Sequence, residues 1–167
     1  ISSIKKIDKD GNVSTLAGYG ITFGGFQDGP LNTAQFDRLV GVAVDATGNI
    51  YLGDTFNNRI RKIDKNGNVS TYAGTGASGF KNGKANEAVF NRPAGIAVDK
   101  NGNVYVADVS NHCIRKIDKN QQVTTLAGTG MPGFNNGSSN MASFYQPYGV
   151  CADENLNVYV ADYVNEC

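Results

Sequence analysis

The segment PAGIAVDKNGNVYVADVSNHCIRKID, residues 93–118, predicts a repeat fold because the chain contains further copies of it. A close copy, LVGVAVDATGNIYLGDTFNNRIRKID, occupies residues 39–64, and a shorter one, PYGVCADENLNVYVADYVNEC, occupies residues 147–167. A period of about 54 residues indicates a repeat architecture. The glycine near the start of each copy marks this period: Gly41, Gly95 and Gly149.

Each period contains four short segments rich in Val, Ile, Tyr and Thr, which predict β-strands. In the period that begins at Gly95 these segments span residues 95–99, 103–108, 113–118 and 123–128. Asn-Gly turns suit tight hairpins, so adjacent strands are predicted to be antiparallel. No helical apolar period is long enough to cover a sheet. The sequence therefore predicts an all-β fold built from the blades of a β-propeller.

These repeats resemble the NHL repeat, and the resemblance covers essentially the whole chain. The intervening segments, of the form LAGTGxxGFxxG, are similar to the long loops of multi-repeat NHL proteins. The resemblance implies a propeller, usually of six blades, that serves as a binding platform in most members. It leaves catalysis open, since related six-bladed propellers include lyases and lactonase-like hydrolases.

The order of the predicted strands divides residues 1–167 into three four-stranded blades, two complete and one split between the termini. Residues 1–18 carry the third and fourth strands of the split blade, and residues 149–167 carry the first and second. Propellers have about four to eight blades, so three cannot close. The chain is therefore predicted to be half of a two-chain, six-bladed ring or a fragment of a longer propeller. The side chains expected at an interchain closure are Ile4, Ile7, Val158, Val160 and Cys167.

Composition limits the classes of partner. Lys plus Arg and Asp plus Glu number 15 each, so the formal charge is zero and offers no long-range attraction to nucleic acid or an anionic membrane. No apolar run approaches the roughly 18 residues of a membrane span, so membrane insertion is not expected. The cysteines Cys113, Cys151 and Cys167 form no CxxC pair and do not support a zinc site. We expect a protein partner or a second copy, and no cofactor.

Several polar residues invite a catalytic or metal-binding interpretation, and each also has a structural explanation. The single histidine, His112, stands where other copies carry Asn58 and Glu166, and it is predicted to be a turn residue because no catalytic partners are evident. The sequence DKDGN at residues 8–12 resembles a calcium loop, yet its glycine comes too early, and a hairpin turn is predicted. Aspartates that follow the first and second strands are predicted to accept turn hydrogen bonds: Asp45, Asp99, Asp153, Asp54, Asp108 and Asp162.

Three further sets recur with the repeat. Arg-Lys pairs of the third strand are predicted to lie on solvated strand faces, with a basic RNA-binding stripe as the alternative: Lys5, Lys6, Arg61, Lys62, Arg115 and Lys116. Phenylalanines followed by xxG are predicted to anchor the inter-blade loops, with ligand contact as the alternative: Phe26, Phe80 and Phe134. Asparagines open glycosylation sequons, which are acceptors if a eukaryotic cell secretes the chain: Asn12, Asn68 and Asn136.

Taken together, these features predict a non-catalytic NHL-type propeller that acts as a protein-interaction or structural scaffold, in which each blade is stable only against its neighbours. One alternative is a propeller lyase or lactonase-like hydrolase with a site in the central channel, which would need acids, histidines or metal ligands specific to one blade. A second alternative is single-stranded RNA recognition, which predicts steeply salt-dependent binding. Resemblance to exported proteins with this loop type favours an extracellular or cell-surface location.

Overall fold

The chain is organised as successive antiparallel strands joined by hairpin turns and long loops. The computed structural model describes residues 2–18 and 24–165, and the prediction of an all-β fold is confirmed. The strands are β1 Ile4–Ile7, β2 Val13–Ala17, β3 Gly29–Pro30, β4 Leu39–Val44, β5 Ile50–Asp54, β6 Arg59–Ile63, β7 Asn68–Ala73, β8 Gly83–Lys84, β9 Pro93–Val98, β10 Val104–Asp108, β11 Cys113–Ile117, β12 Gln122–Ala127, β13 Pro147–Ala152 and β14 Val158–Asp162. Single-turn 3-10 helices follow β5, β10 and β14: Thr55–Asn57, Val109–Asn111 and Tyr163–Asn165.

The strands form four sheets. The first blade has the strand order β3-β7-β6-β5-β4, and the second blade has the order β8-β12-β11-β10-β9. Two-stranded sheets precede and follow them, and we call β1-β2 the leading half blade and β13-β14 the trailing half blade. In the second blade the predicted strand limits agree with the observed ones to within two residues. The number of blades in a closed ring stays a prediction.

Each complete blade has five strands, whereas the sequence predicted four. The additional strand, β3 or β8, is a two-residue piece of the long loop that pairs with the outermost strand of its own blade. Gly29 and Gly83 have φ angles of 132° and 131°, which favour glycine, and they turn the loop onto the sheet edge. Two residues are too few to show an alternating pattern, so the sequence did not reveal this strand.

The first strands of consecutive blades approach one another closely, and glycine permits the contact. A Cβ atom built on Gly41 would lie 2.2 Å from the main-chain oxygen of Ala94, and one built on Gly95 would lie 2.3 Å from that of Tyr148. Such distances are sterically forbidden for any residue with a side chain. The glycine that marks the 54-residue period is therefore the residue that lets β4, β9 and β13 lie side by side.

The buried apolar side chains of the described residues form two clusters that lie between sheets. The first joins the two complete blades: Tyr51, Ile60, Ala73, Phe90, Ile96, Val104, Val106, Ile117 and Val123 are among its members. The second joins the leading half blade to the first blade: Ala17, Ala34, Phe36, Leu52, Ile63 and Val69. The leading half blade and the two complete blades are thus stabilised by burial against their neighbours, as expected for a repeat array. Within the two described ranges no helix is long and apolar enough to cross a membrane.

Candidate interaction surfaces

A fully buried ion pair lies inside the second blade. Arg115 Nη1 is 2.7 Å from Asp108 Oδ2, and neither side chain is exposed. The guanidinium also donates to the main-chain oxygens of Lys81 and Val89 and twice to Asn82 Oδ1, so all five of its N–H donors are used. Burial raises the pKa of Asp108, although hydrogen bonds from Asn111 and Asn91 and the charge of Arg115 oppose this shift.

The first blade repeats this arrangement. Arg61 lies 2.7 Å from Asp54 and 2.6 Å from Asp28, and its side chain is fully buried. The prediction that Arg61 and Arg115 lie on solvated strand faces is therefore wrong, because the loop that supplies the fifth strand covers them. An aspartate and an arginine seven residues apart in both complete repeats are the signal that could have predicted the pair.

Among the described residues, the corresponding aspartate of the trailing half blade has no such partner. Asp162 is buried and accepts hydrogen bonds from the main-chain N–H of Tyr145 and from the Asn165 amide, at 2.8 and 2.6 Å. Across residues 2–18 and 24–165, no lysine or arginine forms an ion pair with it. Asp54 and Asp108 also accept one hydrogen bond from a main-chain N–H and one from an asparagine amide. Each in addition forms an ion pair with an arginine, which the predicted turn hydrogen bonding did not include.

The aspartates that follow the first strands close hairpin turns. Asp99 Oδ1 accepts from the main-chain N–H groups of Asn101 and Asn103 at 2.9 Å, and Asp99 Oδ2 accepts from the Asn103 amide and the Tyr105 hydroxyl. Partial burial alone would raise the pKa of Asp99, but these hydrogen bonds lower it overall. The same turn recurs in the other repeats and at the DKDGN sequence: Asp45, Asp153 and Asp8.

The single histidine joins consecutive repeats. His112 has a φ of 52°, and its Nδ1 accepts a hydrogen bond of 3.1 Å from the main-chain N–H of Gln146. Its ring lies edge-on to that of Tyr145, with centroids 5.5 Å apart. One repeat earlier, Asn58 Oδ1 accepts from the Arg92 N–H at 2.9 Å. In the described part of the chain no three His, Cys, Asp or Glu residues are grouped so that they could hold a metal ion.

Two of the loop phenylalanines, Phe26 and Phe80, contact guanidinium groups, and all three are partly exposed. Arg59 and Arg61 lie 3.9 and 4.8 Å from the centroid of Phe26. Arg115 lies 4.5 Å from the centroid of Phe80, whose side chain is 53% exposed. Phe134, the third member, is also exposed. Phe26 and Phe80 therefore lie over arginines at the loop surface, and a contact of these rings with a ligand stays a prediction.

Within residues 2–18 and 24–165, two apolar faces are exposed on opposite sides of the row of sheets. Tyr51 and Tyr105 are 5% and 4% exposed, whereas the equivalent Tyr159 of the trailing half blade is 56% exposed. On the opposite side, Val42 of β4 is 58% exposed, while Ile96, its equivalent in β9, is 6% exposed. We call the surface around Val42 and Val44 the leading face, and the surface around Tyr159 the trailing face. The trailing face contains Gly149, Val150, Cys151, Tyr159, Val160 and Ala161.

Comparison with known proteins identifies the repeat. The sequence pattern that defines the NHL repeat matches residues 90–117, which include β9, β10 and β11. The chain belongs to the NHL-repeat family. This NHL-repeat chain is 39% identical over 128 residues to Protein SUPPRESSOR OF QUENCHING 1, chloroplastic, of Arabidopsis thaliana, covering 72% of the chain and 12% of that protein. It is 46% identical over 94 residues to NHL repeat-containing protein 2 of Gallus gallus, covering 55% of the chain and 13% of that protein.

Solved structures share the propeller fold with the NHL-repeat chain. A structural genomics protein of unknown function from Bacteroides thetaiotaomicron superposes with a TM-score of 0.75 at 24% identity, covering 95% of this chain and 38% of that one. A virginiamycin B lyase from Staphylococcus aureus superposes with a TM-score of 0.53 at 14% identity, covering 96% of this chain and 42% of that one. At these identities the likeness concerns the fold alone.

The remaining candidate residues of the NHL-repeat chain lie at the surface or between sheets. Cys113 is a buried free thiol whose pKa is raised to about 12 by burial, and Cys151 is a free thiol on the trailing face. The three sequon asparagines are all exposed: Asn12, Asn68 and Asn136. Of the predicted closure residues, Ile7 is exposed, and three are half-buried: Ile4, Val158 and Val160. Cys167 lies outside the described residues.

Proposed function

We propose that this NHL-repeat chain is a non-catalytic scaffold that binds protein, and that it assembles with a second copy through its leading and trailing faces. The observation that carries the proposal is the contrast between Tyr159, which is 56% exposed, and its equivalents Tyr51 and Tyr105, which are 5% and 4% exposed. The tyrosine at this position is buried in each repeat that is followed by a further sheet. An uncovered copy of a blade-blade contact is a surface suited to another blade.

The leading face supports the same assembly. Val42 and Val44 project from β4 at positions where β9 carries Ile96 and Val98, which are covered by the first blade. Burying a valine side chain contributes roughly 1.5–3 kcal/mol. The trailing half blade of a second copy, set beside β1, would cover these valines. The leading and trailing half blades have the strands that one blade requires, two outer and two inner.

Charge complementarity favours this pairing. Lys5 stands in β1 where Arg61 stands in β6, and Asp162 stands in β14 where Asp54 stands in β5. Lys5 is exposed and donates to the Thr15 hydroxyl. A leading half blade placed beside the trailing half blade of another copy brings the Lys5 ammonium to the Asp162 carboxylate. The buried pair of the complete blades would then recur at the junction.

The use made of the polar side chains supports a non-catalytic role. His112 accepts from a main-chain N–H, and the buried carboxylates of Asp54 and Asp108 are bound by arginines. Equivalent residues have equivalent contacts in both complete blades, which indicates a structural use of these groups. A lyase or hydrolase would instead need polar groups that one blade alone directs toward a substrate.

The mass of the 167-residue chain in solution tests the proposal. Light scattering during size-exclusion chromatography should give twice the chain mass of 17.7 kDa. Val42→Asp should reduce this to the mass of one chain without unfolding it, because Val42 is already exposed within a single chain. Asn120→Asp adds the same charge in an exposed turn and should leave the dimer intact. A folded monomer of the original chain, or a dimer insensitive to Val42→Asp, would overturn the proposal.

We also propose that the module is secreted and that two of its three exposed sequons, at Asn12 and Asn68, carry glycans. Asn136 is a special case, because the equivalent residues Asp28 and Asn82 accept hydrogen bonds from the buried arginines. A glycan on Asn136 would sterically prevent a strand of the second copy from pairing with the trailing half blade. Expression through a eukaryotic secretory pathway, with mass measured before and after glycosidase treatment, should therefore show glycans at Asn12 and Asn68 in the dimer and none at Asn136.

A further inference from the structure

A cleft of about 590 Å³ opens beside the second blade, between the end of β12 and the loop that carries Phe80. Its wall includes Phe80, Asn111, Thr125, Thr129, Gly130 and Asn140. One face of the Phe80 ring lies over Arg115. The cleft thus offers an aromatic surface together with amide, hydroxyl and main-chain groups.

The first blade fills the equivalent cleft with its own side chain. The Arg59 guanidinium lies 3.9 Å from the Phe26 centroid. Its Nη1 donates to the main-chain oxygen of Asn57 at 3.2 Å, and its Nη2 donates to that of Thr75 at 2.6 Å. A Cβ built on Gly76 would lie only 2.1 Å from Arg59 Nη1, so this glycine makes room for the guanidinium. An aromatic face and two main-chain acceptors therefore hold a cation here.

The second blade keeps this receptor but lacks the arginine. Cys113 stands at the position of Arg59, and its short side chain is buried. Phe80, Asn111 and Thr129 stand at the positions of Phe26, Asn57 and Thr75, one period later. A Cβ built on Gly130, the equivalent of Gly76, would meet no described atom closer than the main-chain oxygen of Asn111, at 3.8 Å. The space that Arg59 occupies in one repeat is therefore open in the next.

We propose that this cleft, the Phe80 cleft, binds a guanidinium group, namely the arginine side chain of a partner protein, in the pose that Arg59 adopts in the first blade. That the guanidinium belongs to a partner protein rests on the proposed function of the chain as a protein-binding scaffold. The guanidinium stacks on the free face of Phe80 and donates to the main-chain oxygens of Asn111 and Thr129. These oxygens only accept hydrogen bonds, so a ligand that offers several donors and a positive charge fits best.

The neighbouring charges set the strength of binding. In the first blade, Asp28 and Asp54 balance Arg59 and Arg61, whereas Asn82 replaces Asp28 in the second. The Phe80 cleft therefore lacks the carboxylate that Asp28 supplies in the first blade. For this reason a single arginine derivative should bind only in the millimolar range. Asn82→Asp should strengthen that binding roughly tenfold, because charge-assisted contacts are stronger than contacts with neutral groups.

Titration of the isotopically labelled chain with N-acetyl-arginine amide, followed by NMR, tests the inference. Saturable shifts are expected at the amides of residues 128–130, which border the cleft. N-acetyl-citrulline amide has a similar shape without the charge and should bind at least fivefold more weakly. Glucose, a neutral ring that could stack on Phe80, should produce no saturable shift. Equal binding of citrulline or preferred binding of glucose would overturn the assignment of a guanidinium.

Variants locate the site. Cys113→Arg should fill the cleft from within the chain and abolish the response, whereas Thr124→Arg, an added arginine on the exposed side of β12, should leave it unchanged. Phe80→Ala, at a partly exposed ring, should lose the response even if Cys113→Arg fails to fold. Shifts that persist in Phe80→Ala would contradict the proposal. The titration does not depend on oligomeric mass, so failure of the Phe80 cleft and failure of the dimer are separate outcomes.

Discussion

Arg115 and Asp108 face one another across 2.7 Å in the interior of the second blade, and neither side chain is exposed to solvent. Removing one member of a buried pair leaves an uncompensated charge, which typically costs about 3–5 kcal/mol. Arg115→Met should therefore lower the free energy of unfolding by about that amount, measured by urea denaturation. Lys116→Met, at the next and half-buried position, should cost less than about 1 kcal/mol. Equal losses in the two variants would show that the pair does not stabilise the blade.

The approach of the inner strands predicts a graded response to alanine. A Cβ at Gly95 would lie 2.3 Å from the main-chain oxygen of Tyr148, whereas at Gly149 it would meet the Ala161 side chain at 3.2 Å. A main-chain atom between two packed sheets cannot move aside easily, so Gly95→Ala should cost several kcal/mol, above the 1–3 kcal/mol typical of overpacking. Gly149→Ala should cost about 1 kcal/mol or less. Thermal unfolding of both variants gives the comparison, and a reversed order would refute the close contact of β9 and β13.

The bond between His112 and Gln146 predicts a pH dependence. Burial lowers the pKa of His112 below its ordinary value of 6.5, although the charge of Asp162 opposes this shift. Only the unprotonated Nδ1 can accept the hydrogen bond from the Gln146 N–H. Its stabilising contribution is therefore complete above pH 6.5 and is lost as the pH falls through the lower folded-state pKa. His112→Asn, which copies Asn58, should remove this dependence while preserving stability at pH 7. The free energy of unfolding measured from pH 7.5 to 5 tests both statements, and identical profiles would exclude this role.

The turn aspartates predict a second, more acidic transition. Hydrogen bonds lower the pKa of Asp99 despite its partial burial, so the stability that it contributes is present above about pH 4 and is lost at lower pH. Asp99→Asn places a donor opposite the Asn103 amide and should cost about 1 kcal/mol at pH 7. The difference from the original chain should shrink as the pH falls below about 4. Asp10→Asn, at an exposed carboxylate bound by Lys9, is the control and should show little difference at any pH.

The proposed junction of two copies predicts a specific role for Lys5. Lys5→Glu would bring a carboxylate toward Asp162 and should weaken dimerisation roughly 30-fold or more, measured by sedimentation at several concentrations. Lys9→Glu makes the same change in charge in the nearby hairpin turn and should have a small effect. Equal effects of the two variants would indicate a general response to charge and would contradict a Lys5–Asp162 contact.

Much of the scaffold follows from local sequence. Asn-Gly turns, β-branched segments and the recurrence of Gly41, Gly95 and Gly149 predicted the strands, their antiparallel pairing and the propeller fold. These features depend on the conformational preferences of a few adjacent residues. Repetition then extends the prediction, because identical units are expected to pack in the same way.

Which polar side chains are buried and which surfaces are exposed depends on tertiary packing. Arg61 and Arg115 alternate with isoleucines as solvated residues would, and they are buried because a loop about 30 residues earlier in the sequence folds over them. The Phe80 cleft exists because Cys113 replaces an arginine whose contacts come from three separate segments. Burial and charge pairing depend on groups distant in the sequence, whereas strand and turn preferences are local. The sequence therefore predicted the strands and turns, but not the buried ion pairs or the Phe80 cleft.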